Sequence, residues 1–189
     1  MVFKKTLLYP FNINTPYFEG YAWAMELALR MKARLQLFTT TEVAPGITTT
    51  PDSIYHSLLE AQGYFLEHYQ HSGIKSNVAA LEPNIVKGNL KDELISHLRK
   101  KSVDIVIIDP FFLSTHFREI TEIEKQSKGL IILPEHKEPS SEKSHPPGTD
   151  HFYDVLRRAE LYKLPENFFN TLGNDLSVFN YLRRFFQKK

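Results

Sequence analysis

The four consecutive β-branched residues Ile105-Val106-Ile107-Ile108 constrain the fold of this chain more than any other stretch. A strand with one wet face alternates apolar and polar residues, whereas an unbroken apolar run needs cover on both sides, as in a parallel sheet flanked by helices. What precedes the run fits that arrangement. Residues 85–109, IVKGNLKDELISHLRKKSVDIVIID, read as strand, glycine turn, capped helix and buried strand. Asn89 is placed to cap the helix, with Asp92 three residues on; Leu90, Leu94, Ile95 and Leu98 share one face, and Arg99, Lys100 and Lys101 gather in the last turn, where the helix dipole favours cations.

The same alternation runs through the rest of the chain. Thr6 to Phe11 is a first strand, and Thr15-Pro16 has the form of a cap followed by proline at the first helical position. Tyr17, Tyr21, Ala24, Leu27, Ala28 and Met31 then mark one helical face, leaving Glu19, Glu26, Arg30 and Lys32 for solvent. Leu35 to Thr40 is a second strand. Val43 to Thr50 reads as an irregular loop, Ile54 to Tyr69 as a helix stopping at Gly73, and Val78 to Val86 as a third strand whose Pro83 suits an edge. After Asp109-Pro110 a loop leads to a helix over Phe117 to Lys128, and Leu130 to Leu133 is the fifth strand. The reading is one α/β domain over residues 1–134, an open five-stranded parallel sheet of Rossmann-like type with helices on both faces. Residues 135–150, with three prolines and no apolar periodicity, form a linker. Residues 151–189 form a helical extension, with Phe152, Leu156, Phe179, Leu182 and Phe186 expected against protein and Arg183 and Lys188 outside.

Charge and cysteine content narrow the function. With 23 basic against 22 acidic residues the net charge is +1, so no global field recruits nucleic acid or an anionic membrane. The absence of cysteine excludes disulfides and thiolate chemistry and fits the cytoplasm. No apolar run approaches the ~18 residues of a membrane span.

The strand LLYPFN, the strand LQLFTT, the turn Val86-Lys87-Gly88-Asn89, the strand VDIVIID and the closing GLIILP together resemble the universal stress protein family over roughly residues 3 to 134. The resemblance implies a fold in which an ATP-binding branch carries, after the fourth strand, a G-x-x-G loop and then, roughly nine residues on, G-S or G-T around the phosphates. This chain has Asp109-Pro110-Phe111-Phe112 there, no glycine between Gly88 and Gly129, and Asn12 in place of the family's aspartate at the end of the first strand. Proline removes an amide donor and Asp109 repels phosphate, so the chain resembles the branch that does not bind ATP. The resemblance further implies a homodimer joined through Leu130, Ile131, Ile132 and Leu133 as a sheet edge.

Candidate ligand residues are those expected at the carboxyl ends of the strands: Asn12, Thr40, Gly88 and Asp109, suited to a ribose or another polyol. His68 and His71 with Glu67 or His56 have no spacing specific enough to assign a metal. Ser114-Thr115-His116 lacks the flanking glycines of a nucleophile elbow and reads as a helix cap. No catalytic residue and no cofactor are assigned. The expected function is non-enzymatic, a stress-response or regulatory binding protein with a degenerate nucleotide site. Two alternatives stand beside it: an adenine-nucleotide switch of the same fold, and a scaffold whose helical tail engages a partner protein.

Overall fold

A computed structural model describes residues 5–44, 47–68, 80–135, 151–165, 167–169 and 172. Its main sheet contains β1 (Thr6–Pro10), β2 (Arg34–Thr40), β5 (Ala80–Val86), β6 (Ile105–Ile108), β7 (Leu130–Ile132) and β8 (Glu160–Tyr162), in the order β5-β2-β1-β6-β7-β8. The first five in that order pair in parallel and β8 is antiparallel to β7. The chain builds outward from β1 through β2 to β5, then crosses back to lay β6 on the other side of β1. The strand order therefore reverses between β1 and β6, where open α/β sheets form their ligand crevice.

Alternate residues of each strand face opposite layers. Leu7, Tyr9, Leu35, Leu37, Ile105, Ile107 and Ile131 belong to a core with α1 (Phe18–Met31), α2 (Pro51–His68) and α6 (His151–Arg158). Leu8, Phe38, Val106, Ile108, Leu130 and Ile132 belong to a second core with α3 (Leu90–Lys100) and α5 (Ile120–Gln126). All four residues of β6 are buried, as an unbroken apolar run requires. Pro83 lies in β5, at the outer edge, where its missing N–H costs no ladder bond. Asn89 caps α3 through its side-chain oxygen, which accepts from the Lys91 N–H at 3.1 Å.

Five expectations about the elements are corrected. The main sheet has six strands rather than five, because the extension is not wholly helical. After α6 ends, Glu160–Tyr162 forms β8 and pairs Leu161 with Ile131. Leu130 to Leu133 is therefore not a free edge for a homodimer, since the chain's own β8 occupies it. The supposed loop after Asp109 is a helix, α4 (Pro110–His116), followed by a 3-10 turn at Phe117–Glu119 before α5. The loop at 43–50 contains a two-stranded ribbon, β3 (Glu42–Ala44) with β4 (Ile47–Thr48). At the start of α1 the cap position is Tyr17, with no side-chain cap bond, instead of Thr15.

The extension shares the core of the α/β domain. Phe152 and Leu156 are fully buried, with Val155, Phe168 and Leu172 close behind. Phe152 stacks on Trp23 of α1 at 5.0 Å between ring centres, and the Trp23 indole N–H donates to the Phe152 carbonyl at 3.1 Å. Because α6 covers this side of α1, Glu26, expected in solvent, is fully buried and paired with Arg30. The Arg30 guanidinium lies 4.5 Å from the ring centre of Phe152, and its Nη1 donates to the Tyr153 hydroxyl at 3.3 Å. That hydroxyl in turn donates to the Leu172 carbonyl at 2.9 Å. Phe179, Leu182, Phe186, Arg183 and Lys188 lie outside the described residues, as does the linker from 136 to 150.

Candidate functional site

Tyr9 lies one residue before the end of β1 and Asp109 follows β6, so the strand-order reversal brings their side chains together at the mouth of the crevice. The Tyr9 hydroxyl donates to Asp109 Oδ2 at 2.8 Å, and the Phe112 N–H donates to Asp109 Oδ1 at 2.7 Å, which makes Asp109 the cap of α4 with Pro110 at its first position. Asp109 is only 4% exposed. Burial pushes its carboxyl above the ordinary range, opposed by the Phe112 N–H, the Tyr9 hydroxyl and the Phe111 N–H. Burial, and then the neighbouring Asp109, push the Tyr9 phenol well above its ordinary value.

Further side chains complete a plug over this pair. Tyr17 packs edge-on against Phe111 at 5.6 Å, and Gly20 of α1 leaves room beneath them. A Cβ at Gly20 would stand 2.5 Å from Tyr17 Cδ1 and 2.7 Å from the Tyr9 hydroxyl oxygen. The position where a helix N-terminus would meet a phosphate is thus taken by a carboxylate that already accepts that helix's N–H, under a cover of aromatic rings.

Beside the plug, above the ends of β1 and β2, lies a polar recess of about 80 Å³. Asn12, Thr40, Asn89, His116 and Glu42 contribute to its wall. Two of the four expected ligand residues, Asn12 and Thr40, come together there. Asn12 Oδ1 accepts from the Asn14 N–H at 3.0 Å, and the Thr40 hydroxyl donates to the Glu42 carbonyl at 3.3 Å, so both also brace their own turns. The other two stand apart from the recess. Asp109 belongs to the plug. Gly88 has φ of +130° and carries the strand-to-helix turn, with a Cβ there meeting the Glu93 side chain at 3.0 Å. Asn89 and His116 are recess residues outside the expected set: the sequence marks Asn89 only as a cap, and His116 reaches the site because α4 stands in place of a loop.

On the other side of the plug a wider groove of about 480 Å³ opens between α4, the end of β7 and β8. Leu113, Phe117, Leu133 and Pro134 supply its apolar wall, and Glu135, Arg158 and Glu160 its charged rim.

The remaining motifs have local partners. The hydroxyls of Ser114 and Thr115 donate to the Phe111 carbonyl at 2.9 and 3.0 Å, bonding back along α4 rather than capping a helix. His116 stacks on Phe112 at 4.5 Å. Arg99 pairs with Glu122 of α5 at 2.9 Å. His56 faces Glu60 at 3.5 Å, and His71 and the side chains of Glu67 and His68 lie outside the described residues. Among the described residues no cluster of three potential metal ligands occurs, and no helix is long and apolar enough to cross a membrane.

No protein-family model and no curated protein matches the chain. Among solved structures, a universal stress protein in complex with cAMP aligns with a TM-score of 0.46 at 18% sequence identity, over 70% of this chain and 96% of that one.

Proposed function

We propose that this protein is a non-enzymatic binding protein of universal-stress-protein type whose phosphate crevice is closed by its own side chains. The plug carries this reading: Asp109 caps α4 and accepts the Tyr9 hydroxyl at the place where a nucleotide's phosphates would need amide donors and positive potential. What stays open on the side of the strand ends, at Asn12 and Thr40, is small. A recess of about 80 Å³ compares with the ~300 to 1,000 Å³ of pockets that enclose drug-sized ligands, so a whole nucleotide does not fit, whereas a small polyol does. The amides of Asn12 and Asn89, the Thr40 hydroxyl and the His116 imidazole offer both donors and acceptors, which suits hydroxyl groups. In this reading β8 takes, within one chain, the sheet edge that a homodimer mate would use.

A thermal-shift series with ribose, glycerol, AMP, cAMP and ATP tests the proposal. The expected result is a saturable rise in melting temperature with a sugar-sized ligand, abolished by Asn12→Leu, which fills the recess. A ligand at 100 times its Kd stabilises by about 2.7 kcal/mol. A shift from nucleotides alone would overturn the closed-crevice reading in favour of a nucleotide switch, and no shift from any of them would remove the small-molecule site and leave the scaffold reading.

A further inference from the structure

Phe117 is 73% exposed and Phe111 53% exposed, both on the segment that walls the wide groove beside the plug. Phe117 lines the groove itself, and a large aromatic side chain left in water beside other apolar groups marks a contact surface. Leu113, Leu133 and Pro134 extend the apolar surface, and the rim carries two carboxylates, Glu135 and Glu160, against one guanidinium, Arg158.

We propose that this groove is the docking site for the chain's own C-terminal segment, residues 173–189. Three observations select that occupant. The first is reach. The Leu172 carbonyl is held by the Tyr153 hydroxyl, and Tyr153 lies on the same short helix as Arg158, which lines the groove. At 1.5 Å per residue, Tyr153 and Arg158 stand only about 8 Å apart along the axis of α6, so Leu172, the last described residue, is anchored to the helix that also lines the groove. The second is chemistry. Leu176, Phe179, Leu182, Phe185 and Phe186 supply apolar groups to match Phe117 and Leu113. The third is charge: the segment holds Arg183, Arg184, Lys188 and Lys189 against the single acid Asp175, opposite in sign to the excess of carboxylates on the rim.

The lack of native cysteine makes the test specific, since an introduced pair reports only on itself. Ser114 lines the groove and is exposed; Asn180 follows Phe179. The full-length double variant Ser114→Cys, Asn180→Cys is oxidised at low micromolar concentration, beside a control in which Lys32→Cys replaces the groove cysteine. Non-reducing electrophoresis is expected to show a fast-migrating, internally crosslinked monomer for the groove pair, several-fold above the control. A crosslinked dimer would assign the groove to a second copy, and yields equal to the control would leave the segment undocked; either overturns the proposal. A second pair, Ser114→Cys with Gln187→Cys, guards against an unlucky tail position, and unchanged melting temperatures of the reduced variants establish that they fold.

Discussion

Gly20 is the residue at which two opposing effects can be weighed. Alanine is favoured over glycine inside a helix by about 1 kcal/mol. Its methyl group would press on the Tyr17 ring and on the Tyr9 hydroxyl, and Tyr9 is fully buried and bonded to Asp109. Overpacking of this kind costs about 1 to 3 kcal/mol, so the clash wins. Gly20→Ala is expected to lower unfolding free energy by up to about 2 kcal/mol in urea titration. A gain in stability would mean that the plug gives way easily. Asp109 shows how a site can be half legible. Its place at the end of the buried strand is readable from Ile105–Ile108, but Asp-Pro reads equally as the start of a loop and as the start of a helix. With the latter, the Phe112 N–H of the following helix is a partner the carboxylate can be expected to take.

At the scale of elements, α6 and β8 account for most of the distance between expectation and structure. Three residues are too few for the period of a strand to stand out, so Glu160–Tyr162 carried no signal, and without it Leu130–Leu133 read as an edge. Glu26 and Arg30 read as solvent-facing because the periodicity of α1 marks one apolar face and gives no sign that a later helix covers another. By contrast α3 was legible because its cap, apolar stripe and terminal cations agree. The α6 contact has a built-in reporter, Trp23, the chain's one tryptophan. Phe152→Ala is expected to destabilise by about 3 to 5 kcal/mol and to shift Trp23 emission to the red. Unchanged emission and stability would show that α6 does not rest on α1.

Helix α3 also ties the sheet edge through His97. Asn84 Nδ2 donates to its Nδ1 and its Nε2–H donates to Gln36 Oε1, both at 3.2 Å, an arrangement that suits neutral imidazole. Burial, and then Lys101, hold its pKa below the ordinary 6.5, with Glu82 opposing. A folded-state pKa below the unfolded one means that the unfolded chain binds the proton more readily. The contribution of neutral His97 is therefore present above about pH 6.5 and is lost as pH falls from there toward the lower folded value. The stability difference between wild type and His97→Gln should accordingly shrink between pH 7.5 and pH 5. A difference independent of pH would show that His97 does not titrate differently in the folded chain.

The molecule as a whole keeps the strand order of a ligand-binding α/β sheet while filling its crevice. The parallel sheet and the covered β6 followed from the alternation of strands and helices and from the unbroken apolar run in the sequence. The filling did not, because it depends on where Tyr9, Tyr17 and Phe111 meet in space, and two of the three lie about a hundred residues from the third. Titration calorimetry of the full-length protein with Mg-ATP tests the closed crevice most directly. The account predicts no saturable heat at millimolar nucleotide, with Tyr9 and Asp109 still joined. A saturable isotherm in the micromolar range would contradict it, since the triphosphate would then have found amide donors where Asp109 now caps the helix.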